Sequence, residues 1–185
     1  MDLTITPTKL HGAVTPPPSK SQAHRLLIAA ALSGGVSTIH NLADSQDIAA
    51  TRRCLAALGA RIDELGENTV QVHGLGNAVV EAGPAPILDC GESGSTLRFL
   101  IPLALLVNGE AAFTGHGRLM ERPLKPYEDL FREKGIAWKW ENGRLTVDGG
   151  RGYGDCALAP GAYRLPGNVS SQFFTGLLFV LPLLD

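Results

Sequence analysis

The chain has 185 residues, 44% of them hydrophobic and 18% charged, with a formal net charge of −2 and a pI near 6.2. That length fits one domain, or one and part of a second, with enough apolar surface to build a core without disulfide or metal staples. The charge balance lacks the basic excess of a nucleic-acid binder, so any anion site must be local, made of a few Lys and Arg.

The first ten residues, MDLTITPTKL, carry no continuous apolar core, so no signal peptide is expected. Residues 1–18 read as a strand or linker. Pro16-Pro17-Pro18 stiffens its end and disfavours helix before Ser19. A helix follows over SKSQAHRLLIAAAL (19–32), with Lys20 at its start, Arg25 further along, and His24 read as a helix-surface residue. A β-prone run GVSTIHN (35–41) and a more polar helix DIAATRRCLAAL (47–58) come next. Gly59 stops that helix in the left-handed conformation that favours glycine. A hairpin then spans 60–74, turning at Gly66-Glu67-Asn68.

The same design returns. ESGSTLRFLIPLALL (92–106) is an apolar helix, GEAAFTG (109–115) a strand, and LKPYEDLFREK (124–134) a polar helix stopped by Gly135. The next hairpin, 136–150, turns at Asn142-Gly143, a dipeptide suited to two-residue turns. A third opening, NVSSQFFTGLLFVLPLL (168–184), begins the pattern again. Its Phe173–Leu184 stretch is too short to cross a bilayer comfortably, contains Pro182, and reads as a buried helix. Aligning Arg25, Arg98 and Gln172 gives spacings of 73 and 74 residues (98 − 25, 172 − 98).

The repeat is therefore a β-α-β-α-β-β unit, and the expected fold class is α/β (α+β), with units packed side by side into one core. The expected organisation is a strand or linker at 1–18 leading to an absent second domain, then one domain at 19–185. Its units are about 19–90, 91–165 and an incomplete 166–185. Each apolar helix opens on Ser or Gly. Such an opening is either a plain N-cap or, with free N–H groups and a partial positive charge, an anion site. Arg122, in the loop after Thr114-Gly115-His116-Gly117, is poorly placed for the helix dipole and reads as a candidate clamp.

Cys54, Cys90 and Cys156 are widely spaced and read as reduced, buried thiols of a cytosolic protein. The five histidines form no HxH or HExxH pair, so no metal site is expected. There is no GxxxxGK[ST], no GxGxxG after a strand and no GxSxG.

Four motifs together resemble one family. Pro18-Ser19-Lys20-Ser21 with Arg25 resembles the PGSKSxxxR signature of the 5-enolpyruvylshikimate-3-phosphate synthase family. Gly91-Glu92-Ser93-Gly94-Ser95-Thr96-Leu97-Arg98 resembles its GNAGTxxR segment, Glu121-Arg122-Pro123 its ERP, and Gly167-Asn168-Val169-Ser170-Ser171-Gln172-Phe173 its GxVSSQF. The resemblance implies enolpyruvyl transfer from phosphoenolpyruvate to the 5-hydroxyl of shikimate 3-phosphate, with release of phosphate. It implies no cofactor, a cytoplasmic location, and a monomer for the full-length enzyme.

It also implies roles. Lys20 orients both substrates, Ser21 and Arg25 hold shikimate 3-phosphate, and Gly94 and Arg122 hold phosphoenolpyruvate. Ser170 and Ser171 bind the shikimate phosphate side, and Gln172 reaches both ligands. The family's chains are more than twice as long, so the general acid and base are expected outside this chain, which alone is expected not to turn over. Two other readings stay open: a non-catalytic phosphoshikimate-binding module, and half of a split enzyme completed by a C-terminal chain. The UDP-N-acetylglucosamine enolpyruvyl transferases share the fold, but Lys20-Ser21, Arg25 and Ser170-Ser171-Gln172 match the shikimate branch better. The family places Asn where Glu92 stands and Gly before Ser19. An acidic Glu92 near an anion is tolerable only if it turns away or pairs with Arg98 or Arg122.

Overall fold

Among the described residues, four serines start four of the five α-helices. Ser19, Ser45, Ser93 and Ser170 sit in extended backbone, and each side chain accepts a hydrogen bond from an amide of the first turn that follows. This satisfies one otherwise unpaired donor per helix. The helices are α1 (Lys20–Leu32), α2 (Gln46–Ala57), α3 (Gly94–Asn108), α4 (Lys125–Glu133) and α5 (Ser171–Val180). The computed structural model describes residues 3–4, 6–9, 11–76, 84–150 and 158–184; Cys156 lies outside them, while Cys54 and Cys90 are free thiols and buried.

The strands are β1 (Val36–Ile39), β2 (Arg61–Gly66), β3 (Thr69–His73), β4 (Ile87–Asp89), β5 (Glu110–Thr114), β6 (Ala137–Glu141) and β7 (Arg144–Asp148). They form one sheet of order β1-β3-β2, antiparallel throughout, and another of order β4-β5-β7-β6, in which only β4 and β5 are parallel. Both hairpins close on two-residue turns with positive φ: Glu67 (46°) and Asn68 (57°), then Asn142 (51°) and Gly143 (73°). Those angles match the right-handed strand twist. In the first hairpin a bulge between Glu64 and Gly66 absorbs the extra residue. Each β-ribbon turns alternate residues inward: Val70 and Val72 from β3, Leu145 and Val147 from β7.

The second unit is a complete β-α-β-α-β-β. In the first, the described residues before Lys20 form no opening strand, and Val14 is exposed. Ile87–Asp89, placed by sequence within 19–90, pairs instead with Ile87↔Ala112 to Asp89↔Thr114 and opens the second sheet. The helix N-caps are 74 and 77 residues apart (93 − 19, 170 − 93), so the alignment on Arg25, Arg98 and Gln172 is offset from the helical register.

The core is one continuous cluster in which α3 is buried on nearly every side. α5 lies across α3 at a close approach permitted by Gly176. There the Tyr127 hydroxyl donates to the Phe173 carbonyl at 2.8 Å. The expectation of a buried 173–184 helix holds for one face only. Phe173, Leu177 and Val180 are inside, whereas Leu178 is 68% exposed and Phe174 37%, and Pro182 turns the end into a 3-10 helix. No helix among the described residues is long and apolar enough to cross a membrane.

Candidate anion-binding site

Gly94 is the first residue of α3, and two guanidiniums close over it. A methyl group there would lie 2.5 Å from Arg122 Nη1 and 3.1 Å from Arg98 Nη1. Arg122 is delivered by the turn that ends the 3-10 helix Leu119–Glu121, where its own backbone is extended. Arg98 is one turn along α3, half-buried, with its guanidinium 5.2 Å from the centre of the Phe173 ring. Its Nη1 donates to Gln172 Oε1 at 2.8 Å, and Gln172 Nε2 donates to Ser95 Oγ at 2.8 Å. Burial, and then the charge of Arg122, pull the Arg98 guanidinium below its ordinary pKa. Two like charges at a helix N-terminus are favourable only with an anion between them.

The second cluster is the first turns of α1. Arg25 Nη1 donates to the Ser21 carbonyl at 2.8 Å and to Ser21 Oγ at 2.6 Å, and its guanidinium lies 5.2 Å from the Phe99 ring centre. Lys20 Nζ is 2.7 Å from Asp47 Oδ2 on the first turn of α2. The Asp47 carbonyl in turn accepts from the Thr96 hydroxyl of α3 at 3.4 Å. Thus the N-terminal turns of α1, α2 and α3 converge. Among the described residues, Arg25, Arg98 and Arg122 form no ion pair, whereas Arg52, Arg53, Arg61, Arg118 and Arg132 each do. Arg144 and Arg164 also form none, so what sets Arg25, Arg98 and Arg122 apart is their place at the mouths of α1 and α3.

Glu92 turns away from this charge. Its Oε1 lies 2.6 Å from where a Cβ on Gly117 would sit, and it pairs with neither Arg98 nor Arg122. The 115–118 loop therefore accommodates the carboxylate that sequence comparison flagged as misplaced.

The contacts join Gly94, Arg122 and Gln172 in one cradle, and Lys20, Ser21 and Arg25 in the adjoining one. Ser170 caps α5 by accepting from the Gln172 amide at 3.3 Å, which sets the helix start that carries Gln172. Ser171 lies exposed on the first turn of α5. His24 corrects the surface reading: it is 1% exposed, because it faces α2 and α3. Burial, helped by the charges of Lys20 and Arg25 and opposed by Asp47, lowers its pKa to about 4, so it is a neutral imidazole at neutral pH. Arg98 was visible in the motif but not counted among the ligand residues. Asp47 had no sequence signal beyond its place in the first turn of a helix.

Converging helix N-termini and guanidiniums without carboxylate partners gather positive charge at one place on a scaffold of β-α-β-α-β-β units. The model of the family described as EPSP synthase (3-phosphoshikimate 1-carboxyvinyltransferase) matches residues 5–185, and the chain belongs to that family. The 3-phosphoshikimate 1-carboxyvinyltransferase of Clostridium kluyveri is 50% identical over 185 residues, covering 99% of this chain and 41% of its own length. That of Clostridium novyi is 44% identical, covering 100% and 42%. The solved EPSP synthase of Acinetobacter baumannii superposes with a TM-score of 0.74 at 26% identity, over 91% of this chain and 37% of that one. The chain thus spans about two fifths of the length of the curated relatives it matches.

Proposed function

We propose that this chain forms the shikimate 3-phosphate-binding portion of an enzyme that transfers the enolpyruvyl group of phosphoenolpyruvate to the 5-hydroxyl of that cyclohexene carboxylic acid. The observation that carries the reading is the set of three guanidiniums without carboxylate partners at the mouths of α1 and α3. Both substrates carry a phosphate and a carboxylate, which call for planar Arg donors and open helix N-termini.

In this reading Arg25 and Ser21 hold shikimate 3-phosphate, with Ser170 and Ser171 on its phosphate side. Lys20, released from Asp47, bridges the two substrates. The Gly94 amide and Arg122 take phosphoenolpyruvate, and Gln172 touches both. The chain's own residues bind, orient and neutralise charge, so that the reacting oxygen and the enol carbon meet with little reorganisation. The proton-transfer groups, which must come within hydrogen-bond reach of the reacting atoms, belong in this reading to the portion that the longer relatives carry and this chain does not span. The reading includes a cytoplasmic location and a monomeric complete enzyme. It needs no cofactor.

Calorimetric titration of purified 1–185 with shikimate 3-phosphate is the test. Saturable one-to-one binding, weakened at least about thirtyfold by Lys20→Ala through loss of a charge-assisted contact, is the expected result. A folded protein that releases no heat of binding, or a Lys20→Ala variant that binds as wild type, would overturn the reading.

A further inference from the structure

His24, Thr51, Ser93 and Thr96 are the buried polar side chains among the described residues, each at most 1% exposed, and they touch one another in a single chain. His24 Nδ1 lies 2.7 Å from Thr51 Oγ1, and Thr51 Oγ1 lies 2.7 Å from Thr96 Oγ1. Thr96 Oγ1 lies 2.7 Å from Ser93 Oγ, the cap of α3. The chain runs from α1 through α2 to α3 and crosses from the first unit to the second. Both threonine hydroxyls also lie within reach of the Asp47 carbonyl, at 3.3 and 3.4 Å. Asp47 is the residue whose carboxylate holds Lys20.

A buried polar chain is costly unless each member keeps its partner, and hydrogen bonds, unlike apolar contacts, are satisfied in only one relative placement of the elements. An apolar filling of this seam, with Val at both threonines, would tolerate a slide of α2 against α3. The hydroxyls do not. The two ends of the chain are next to the two cradles: His24 precedes Arg25, and Ser93 precedes Gly94.

We propose that the His24–Thr51–Thr96–Ser93 chain is a positioning device that holds the first turns of α1, α2 and α3 in register, and so fixes Lys20 relative to Gly94. Thr51 is its central positioning residue, since it alone bonds to both neighbours across helix boundaries. The functional part of this inference rests on the substrate reading above.

The experiment compares wild type, Thr51→Val, Thr51→Ser and Leu55→Ala, the last a buried apolar residue one turn along α2 whose truncation removes no hydroxyl of the chain. Nuclear magnetic resonance follows the Lys20 and Gly94 amides, and calorimetry follows shikimate 3-phosphate, both where all variants are folded. Thr51→Val is expected to shift both amides and to weaken binding about tenfold, on the scale of one lost buried hydroxyl partner. Thr51→Ser is expected to restore both, and Leu55→Ala to lower stability with affinity kept. If wild type binds no substrate while Thr51→Val still moves both amides, the substrate reading falls and the positioning role stands. Unmoved Lys20 and Gly94 amides, or a Thr51→Val affinity within about twofold of wild type, overturn the proposal.

Discussion

Acidification from pH 7 to about pH 4 is expected to remove about 3 kcal/mol of folding free energy through His24 alone, given its pKa of about 4. The imidazole is held between α1, α2 and α3, with Nδ1 on Thr51 and Nε2 without a hydrogen-bond partner. Its edge-to-face partner is Phe99, 6.3 Å away. Charging it means placing a cation in this seam with Lys20 and Arg25 nearby, and the one opposing carboxylate, Asp47, is already engaged by Lys20. In the unfolded chain the ring takes up its proton near pH 6.5. Between that pH and about 4 the unfolded state therefore binds more protons than the folded one, so stability falls as pH falls. Below about 4 both states are protonated and no further loss comes from this group. Urea unfolding of wild type and His24→Asn between pH 7 and 4 isolates the effect. Asn bonds to Thr51 without titrating, so its curve should be flatter by about 3 kcal/mol over that range. Parallel curves would mean that the ring is hydrated in solution and not sealed in the seam.

Gly176→Ala is expected to destabilise the fold by about 3 kcal/mol, through overpacking. Helix propensity alone predicts the opposite sign, since Ala in a helix interior is better than Gly by up to about 1 kcal/mol. The methyl group would press on the Tyr127 hydroxyl, lie 2.7 Å from the Arg98 carbonyl, and lie 3.2 Å from Pro102 Cγ. Two of these belong to the backbone or ring of α3, which is buried nearly all round and has nowhere to retreat. Relief requires α5 to lift, which separates Gln172 from Arg98 and Ser95 and breaks the Tyr127–Phe173 bond. The urea midpoint gives the cost, and Thr175→Ala, at the neighbouring position on the same helix, is the control. A cost below about 1 kcal/mol would show that α5 is docked loosely enough to shift without loss.

Local chemistry made most of the elements legible. Alternating Val70 and Val72, the turn residues Asn68 and Asn142-Gly143, the glycines after α2 and α4, and the serine caps all act within a few residues of themselves. Lys20, Arg25 and Arg122 were legible for the same reason, as cations beside helix openings, whereas Gly94 and Gln172 were singled out as ligand residues by the resemblance of their motifs. The expectation for His24 failed because a histidine flanked by Ala23 and Arg25 gives no sign of which helix face is covered. A hydroxyl on an apolar stripe, Thr51 among Ile48, Leu55 and Leu58, was the signal for the buried chain, and it becomes readable only once Thr96 is known to face it.

The sequence by itself determined the elements, their repetition, the family and the charged groups available to a site, because capping, turn preference and side-chain period are properties of short segments. Tertiary structure alone decided that Ile87–Asp89 joins the second sheet, that Arg98 grips Gln172 from 74 residues away, and that Glu92 swings to Gly117 and leaves the cradle positive. Those outcomes depend on how α1, α2, α3 and α5 pack. Packing is a competition among all the apolar faces at once, and no single segment carries its result.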